Sequence, residues 1–534
     1  MTNPGGGPAP GRRTGARRRG LLVALPVSLL VTAWVLRGIP GPGQYLVRDF
    51  VAVPDPARPV SVLPSNAETL RAWPLDAVVW LLSGLVPTGV QQALILAGAL
   101  VLAGTGAGLL VSRAGVSAVA ATSVLAVWNP YVTERVLLGQ PPTLLGYAML
   151  PWVLLAVRSA RPLGPRLALL VLAAAPAALT PWGGALALAV AVVGALSRDD
   201  RGVRQVAATA AVGLAWCLPW AVPAVLAGGL PADPDGAAAF ALADDSGLGT
   251  WLSALTGGGV WGSGAVPRSR EDPVALGAGL VLVVVATVGA AALGRRWGWR
   301  AGLVALGLLV GPSLVLTALS GPLLGVLAAL QSVPGVALVR DQHRVLAPAV
   351  LALAVLAGVA TGAVRTVAGR AAGALVAALV LALAVAAVPD LPRSVGAAYR
   401  PVTYPAGWEA VVSAVDRVPG RPVVASFPWQ PLRRPGWGGP APFLDPLPRA
   451  LSAEVLVDGA LVVERDGRSL VVGPTPGEPT WRRGVVTTES LRERGVDLVV
   501  EWLDTPGALP AERPGWVQVV STPELRLWDV RAAR

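Results

Sequence analysis

Long apolar stretches alternate with short polar breaks as far as residue 388. The apolar runs fall at 20–37, 89–111, 116–128, 142–157, 167–180, 184–197, 205–228, 274–293, 301–319, 346–364 and 371–388. A helix of about 20 apolar residues is long enough to cross a bilayer, so the pattern predicts a polytopic α-helical membrane protein with about eleven crossings. The run Gly20–Val35 has the length of a signal peptide, but no small-x-small cleavage site follows it and further spans do. A retained first helix is the better reading. Residues 1–19, with Arg12, Arg13, Arg17, Arg18 and Arg19, read as a disordered basic cytoplasmic tail. The two short runs around Pro181-Trp182-Gly183-Gly184 are also compatible with tilted or re-entrant helices.

Charge sets the orientation. Alternate loops hold Arg113; then Arg158, Arg161 and Arg166; then Arg198, Arg201 and Arg204; then Arg295, Arg296 and Arg300; then Arg365 and Arg370. Short cytoplasmic loops carry the arginine excess of membrane proteins, so all five belong inside, with the N-terminus in and the C-terminus out. The outer face then receives loop 38–88, the polar break 128–141, the Thr180–Gly184 turn, loop 229–273, segment 320–345 and the tail from 389 onward. Within loop 38–88, Trp73–Leu85 reads as an interfacial helix. Segment 320–345 opens as a short amphipathic run.

After Pro389 the pattern changes to that of a small α/β domain. PVVASFPW (422–429) reads as a buried strand. TTESLRERGVDLVVEW (487–502) reads as a helix capped by Thr487 or Thr488, a glycine stop and a strand. WVQVV and LRLWDV read as a closing hairpin. The predicted organisation is a tail over 1–19, a transmembrane domain over 20–388 and an extracytoplasmic α/β domain over 389–534.

Composition narrows the class. The chain has 534 residues, 54% of them hydrophobic and only 14% charged, against about 25% charged in soluble domains. Its formal net charge is +12, carried by arginine without any lysine. The excess sits mainly in short loops between spans, so it points to membrane orientation and not to nucleic acid. The single cysteine, Cys217, lies in an apolar run and excludes an internal disulfide; one histidine excludes a His-rich metal site.

Candidate chemistry gathers on the outer side. Asp49, beside Arg48 near the outer end of the first span, has the chemistry of a general base, and also that of a solvated loop aspartate. Asp55 is similar but sits between two prolines. Glu134 and Arg135, in WNPYVTERVLLGQ, suit either a polar headgroup or a structural ion pair. Arg340, His343 and Arg344 form a denser cluster in RDQHR; arginine suits bidentate phosphate binding. The Gly-rich TGGGVWGSG lacks the lysine of a phosphate loop and reads as a flexible lid or packing loop. Trp251 and Trp261 fit sugar stacking or lipid headgroups. No catalytic triad or zinc-ligand spacing stands out.

WNPYVTERVLLGQ followed by GYAMLPW, and RDQHRVLAP before the tenth span, resemble segments of GT-C membrane glycosyltransferases, in particular the actinobacterial α-(1→3)-arabinofuranosyltransferase group. The resemblance covers most of residues 20–388. It implies transfer of a sugar, arabinofuranose being the candidate, from a polyprenyl-phosphate donor to a cell-envelope glycan or glycolipid at the outer face of the plasma membrane. Asp49 would be the base. Arg48, Arg340, His343 and Arg344 would meet the donor phosphate, and Glu134 and Arg135 would line the same cavity. The resemblance fixes no cofactor; a divalent cation fits the chemistry. Its implied partners are membrane lipid, donor, acceptor and, through 389–534, envelope-assembly proteins. Asp49 departs from the paired acids common in this superfamily's first loop. A flippase for lipid-linked saccharides and a catalytically silent scaffold therefore stay open.

Overall fold

The structure is a computed structural model that describes residues 10–41, 43–59, 73–198, 202–226, 233–465, 468–473 and 479–533. Asn66, Glu68, Arg71 and Arg201, and the side chains of Arg12 and Arg13, lie outside the described residues.

A helix occupies each of the eleven apolar stretches. In chain order they are Pro10–Leu36, Thr88–Leu110, Val116–Val127, Pro141–Val157, Leu163–Ala174, Pro181–Leu196, Val203–Leu226, Pro273–Trp297 and Trp299–Ser320. Ala347–Ala387 holds the last two stretches, broken at Gly369, whose φ of 91° and ψ of 178° are not helical. Among the described residues seven helices are long and apolar enough to cross a membrane, with three shorter apolar ones beside them. The first helix begins at Pro10, so residues 10–19, read above as disordered, are helical. Proline suits a first helical turn, and arginine and alanine are good helix formers, so the basic segment extends the span that follows it.

The core centres on Ala347–Ala387, which packs against Pro273–Trp297 and Val116–Val127. Small residues set those contacts. A Cβ on Gly289 would run into the Leu356 carbonyl, and one on Gly358 into the Thr122 hydroxyl. Glycine at such points lets helix backbones approach closely, which favours association where lipid removes the hydrophobic drive.

At one end of the bundle the loops make short β structure. Strands β1 (Gln44–Val47) and β2 (Phe50–Val51) form a tight hairpin, and β1 also pairs antiparallel with β3 (Pro401–Val402). The sequence pattern did not predict this hairpin. The expected interfacial helix is present at Leu75–Ser83, and the amphipathic run of 320–345 forms Leu324–Leu330.

Beyond residue 400 a five-stranded mixed sheet forms, in the order β11-β12-β10-β4-β7. Strands β4 (Val423–Phe427), β10 (Leu498–Trp502) and β7 (Glu454–Leu456) run parallel; β12 (Leu525–Asp529) and β11 (Val517–Ser521) add antiparallel. Strand β10 is buried along its whole length, as expected of a central strand with both faces covered. Thr487 caps the helix Thr488–Glu493 in a capping box with Ser490. A small two-stranded ladder, β5 (Leu432–Arg433) with β6 (Phe443–Leu444), lies next to the first hairpin, and Arg48 bridges to Phe443.

Candidate functional site

The polar break is itself folded. Asn129 accepts a hydrogen bond from the Val132 N–H at 2.9 Å and caps the short helix Pro130–Leu137, with proline at its first position. The helix stops at Leu138, and Gly139 takes a left-handed φ of 70°. Gln140 follows, then Pro141 opens the next helix. Glu134, Arg135 and Gln140 are thereby turned into the protein, against the segment Arg340–Val345.

Arg135 is 0% exposed and uses its full fork. Nη1 and Nη2 donate to the two carboxylate oxygens of Asp341 at 2.7 and 2.8 Å. Nη1 also donates to Gln140 Oε1 at 2.7 Å, and Nε to His343 Nδ1 at 3.0 Å. A guanidinium can only donate, so Nδ1 must accept. His343 is then the neutral ring protonated at Nε2, which points at Glu134 Oε2, 3.2 Å away. That same oxygen accepts the Val260 N–H at 3.1 Å. On the far side Arg270 pairs with Asp245 through two 3.0 Å hydrogen bonds and lies 3.9 Å from Glu134 Oε1. Asp341 doubles as the cap of Gln342–Val345, accepting from the Arg344 N–H at 3.3 Å.

Electrostatics follow the pairing. Burial would raise the Asp341 carboxyl, but Arg135 and Arg344 hold it well below the usual carboxylate range. Asp245 is likewise pushed up by burial and brought down by Arg270, to about 2. A buried charge is tolerated when it is matched and hydrogen-bonded in this way.

Asp49 stands at the open end of this network. It occupies the exposed turn between β1 and β2, and Gln140 Nε2 donates to its Oδ2 at 3.0 Å. The hairpin backbone rests on Gly139, where a Cβ would meet the Val47 carbonyl. Arg48 has a positive φ of 52° and a half-buried side chain. Burial pushes the Arg48 guanidinium down, Asp49 pushes it back up, and Arg434 lowers it further. Arg344, whose side chain is 27% exposed, pairs with Asp341 at 3.3 Å. Asp55 is exposed on the segment after β2.

The expected site therefore divides in two. Asp49 is exposed and Arg48 half-buried on the hairpin turn, and Arg344 is partly exposed. Glu134, Arg135 and His343, expected to line the cavity and meet a phosphate, are each 0% exposed and turned on one another. In this structure their polar atoms meet one another and neighbouring protein groups. Arg340 lies over the Phe240 ring, 4.8 Å from its centroid. Trp261 packs edge-on against Phe240 at 4.7 Å, whereas Trp251 is partly exposed. The Gly-rich loop is a packing loop: Gly258 leaves room for Asp245 and Arg270, and a Cβ there would meet both. Asp245 and Arg270 were not singled out from sequence, since nothing local marks two loop residues 25 positions apart as partners. Among the described residues no group of three or more His, Cys, Asp or Glu side chains is placed to hold a metal ion.

No protein-family description and no curated protein matches the chain. Solved structures do. The arabinofuranosyltransferase AftD from mycobacteria superposes with a TM-score of 0.58 and 19% identity, over 96% of this chain and 40% of that one. A mutant of AftD superposes at 0.56, with 19% identity, over 96% and 41%. An archaeal oligosaccharyltransferase, AglB from Archaeoglobus fulgidus, superposes at 0.44 with 12% identity, over 90% and 69%. The chain thus spans about two fifths of the length of AftD. At these identities the likeness is one of fold: the chain shares the fold of the part of AftD that it superposes on.

Proposed function

We propose that this protein transfers a sugar from a polyprenyl-phosphate donor to a cell-envelope glycan or glycolipid, with Asp49 as the base that deprotonates the acceptor hydroxyl. The observation that carries the proposal is an exposed carboxylate held on a braced turn beside a cation. Gln140 donates to Asp49, and Arg48 is its neighbour in the chain. Inverting transfer needs a carboxylate on the acceptor side and positive charge where the leaving phosphate departs. Arginine supplies that charge with a fork matched to phosphate oxygens. The fold of AftD supports an arabinofuranosyl donor as the first to try. The donor's lipid tail would stay in the bilayer while its phosphate meets Arg48 and Arg344 at the interface.

This reading includes an orientation. The N-terminus is cytoplasmic, the arginine-bearing loops are inside, and Asp49 and residues 389–534 face the outer side of the plasma membrane. The direct hydrogen bonds of Arg365 to the Ala114 carbonyl and of Arg158 to Ser197 support it, because they gather basic loops at one end of the bundle. The test is transfer from labelled polyprenyl-phosphate arabinofuranose in membranes holding wild type or Asp49→Asn at matched expression. Transfer by the wild type and its loss in the variant are expected. Equal transfer by both moves the base away from Asp49. No transfer by the wild type favours the silent scaffold, for which the lack of a second acid beside Asp49 is the supporting observation.

A further inference from the structure

We propose that Gln140 is the positioning residue for the Asp49 carboxylate, and that the buried Arg135–Asp341 pair acts on Asp49 through it. The proposal rests on Asp49 being the base. Its argument begins with the orientation of one amide. Amide oxygen and nitrogen are told apart by their partners. Arg135 Nη1 lies 2.7 Å from one end of the Gln140 amide and can only donate, so that end is the oxygen. The NH2 end must then face Asp49 Oδ2, 3.0 Å away, and donate to it. The direction of both hydrogen bonds is fixed by the chemistry of the arginine.

Each link behind Asp49 is more deeply buried than the one before it. Asp49 is exposed on a two-stranded hairpin, Gln140 is 5% exposed, and Arg135 is 0% exposed and held by Asp341 at two points. Among the described residues, the side-chain hydrogen bond that Asp49 accepts comes from Gln140. One carboxylate oxygen is thus anchored to the buried brace, and the other is left for an acceptor hydroxyl. The neighbouring residue serves the same end. Gly139 supports the backbone of Val47–Asp49 from below, so one turn holds both the main chain and the side chain of the base. Without that hold the carboxylate would sample many rotamers, and most would miss the hydroxyl.

The experiment uses the full chain in membranes, with labelled polyprenyl-phosphate arabinofuranose as donor and a synthetic arabinofuranosyl disaccharide as acceptor. Gln140→Glu keeps an acceptor for Arg135 and removes the N–H that reaches Asp49. Gln140→Met removes both and keeps the length. Activity is normalised to folded protein recovered by size exclusion. Expected is a kcat loss on the order of 10- to 100-fold in both variants, the scale of a lost reacting geometry, with the donor KM within about twofold of the wild type. Wild-type kcat in Gln140→Glu, beside an inactive Asp49→Asn, overturns the positioning role and leaves Asp49 as base. A loss in Gln140→Met alone then assigns Gln140 to the support of Arg135, since Gln140→Glu keeps the acceptor that Arg135 uses. Full activity of Asp49→Asn, or no transfer by the wild type, removes the base and this assignment together.

Discussion

At the scale of single residues, the site is a set of buried charges that satisfy one another. Arg135 meets Asp341 from 206 positions away, with both side chains almost wholly excluded from solvent. Removing one partner of such a pair strands the other charge, at a cost of about 3–5 kcal/mol. Asp341→Asn should therefore lower the thermal unfolding midpoint in detergent sharply, or abolish recovery of folded protein. Arg344→Gln should move the midpoint far less, because its side chain is 27% exposed and such pairs contribute about 0–1 kcal/mol. The residue types were legible in sequence, but their roles were not. Glu134, Arg135 and His343 announced themselves as polar groups in apolar surroundings. That signal is the same for a group facing substrate and for one matched inside the protein. Only the long-range pairing tells them apart, and neither periodicity nor local motif encodes it.

At the scale of elements, what the chain forms by itself was readable and what it forms with a distant partner was not. The membrane helices are local: each closes its own backbone hydrogen bonds and advertises itself by an apolar run. The capped helix at Thr488–Glu493 was readable for the same reason. The β1–β2 hairpin escaped because β1 is only four residues long and completes its ladder with β3, which begins at Pro401. Its placement depends on Gly139. Alanine there must adopt a φ of 70° and push its Cβ into the Val47 carbonyl, a combination L-residues avoid. Gly139→Ala should still insert into the membrane, but with transfer reduced by roughly tenfold or more, the effect of a displaced reacting group. Transfer and membrane yield measured on the same preparation would check this.

At the scale of the whole molecule, the proposed topology puts the arginine-rich loops on one side of the membrane and the strands on the other. Orientation can be read with single cysteines on a Cys217→Ala background. Gly298 lies between two membrane helices and Gly420 precedes β4; both are exposed. A membrane-impermeant maleimide added to intact cells should label Gly420→Cys and spare Gly298→Cys until the cells are opened. The reverse pattern would invert the proposed topology and put Asp49 on the cytoplasmic side. The helices themselves were legible from hydropathy. The way the two ends of the chain share one strand ladder was not.

That shared ladder has a consequence in time. The turn bearing Asp49 is made long before its neighbouring strand, which begins at Pro401, and before Phe443, to which Arg48 bridges. Contacts so far apart in the chain form late and slowly. Gln140 and β2 hold one side of the turn early, while its second flank stays open. That flank closes only when residues 401–443 have been made, so a half-made molecule is a helical bundle whose Asp49 turn is held on one side alone.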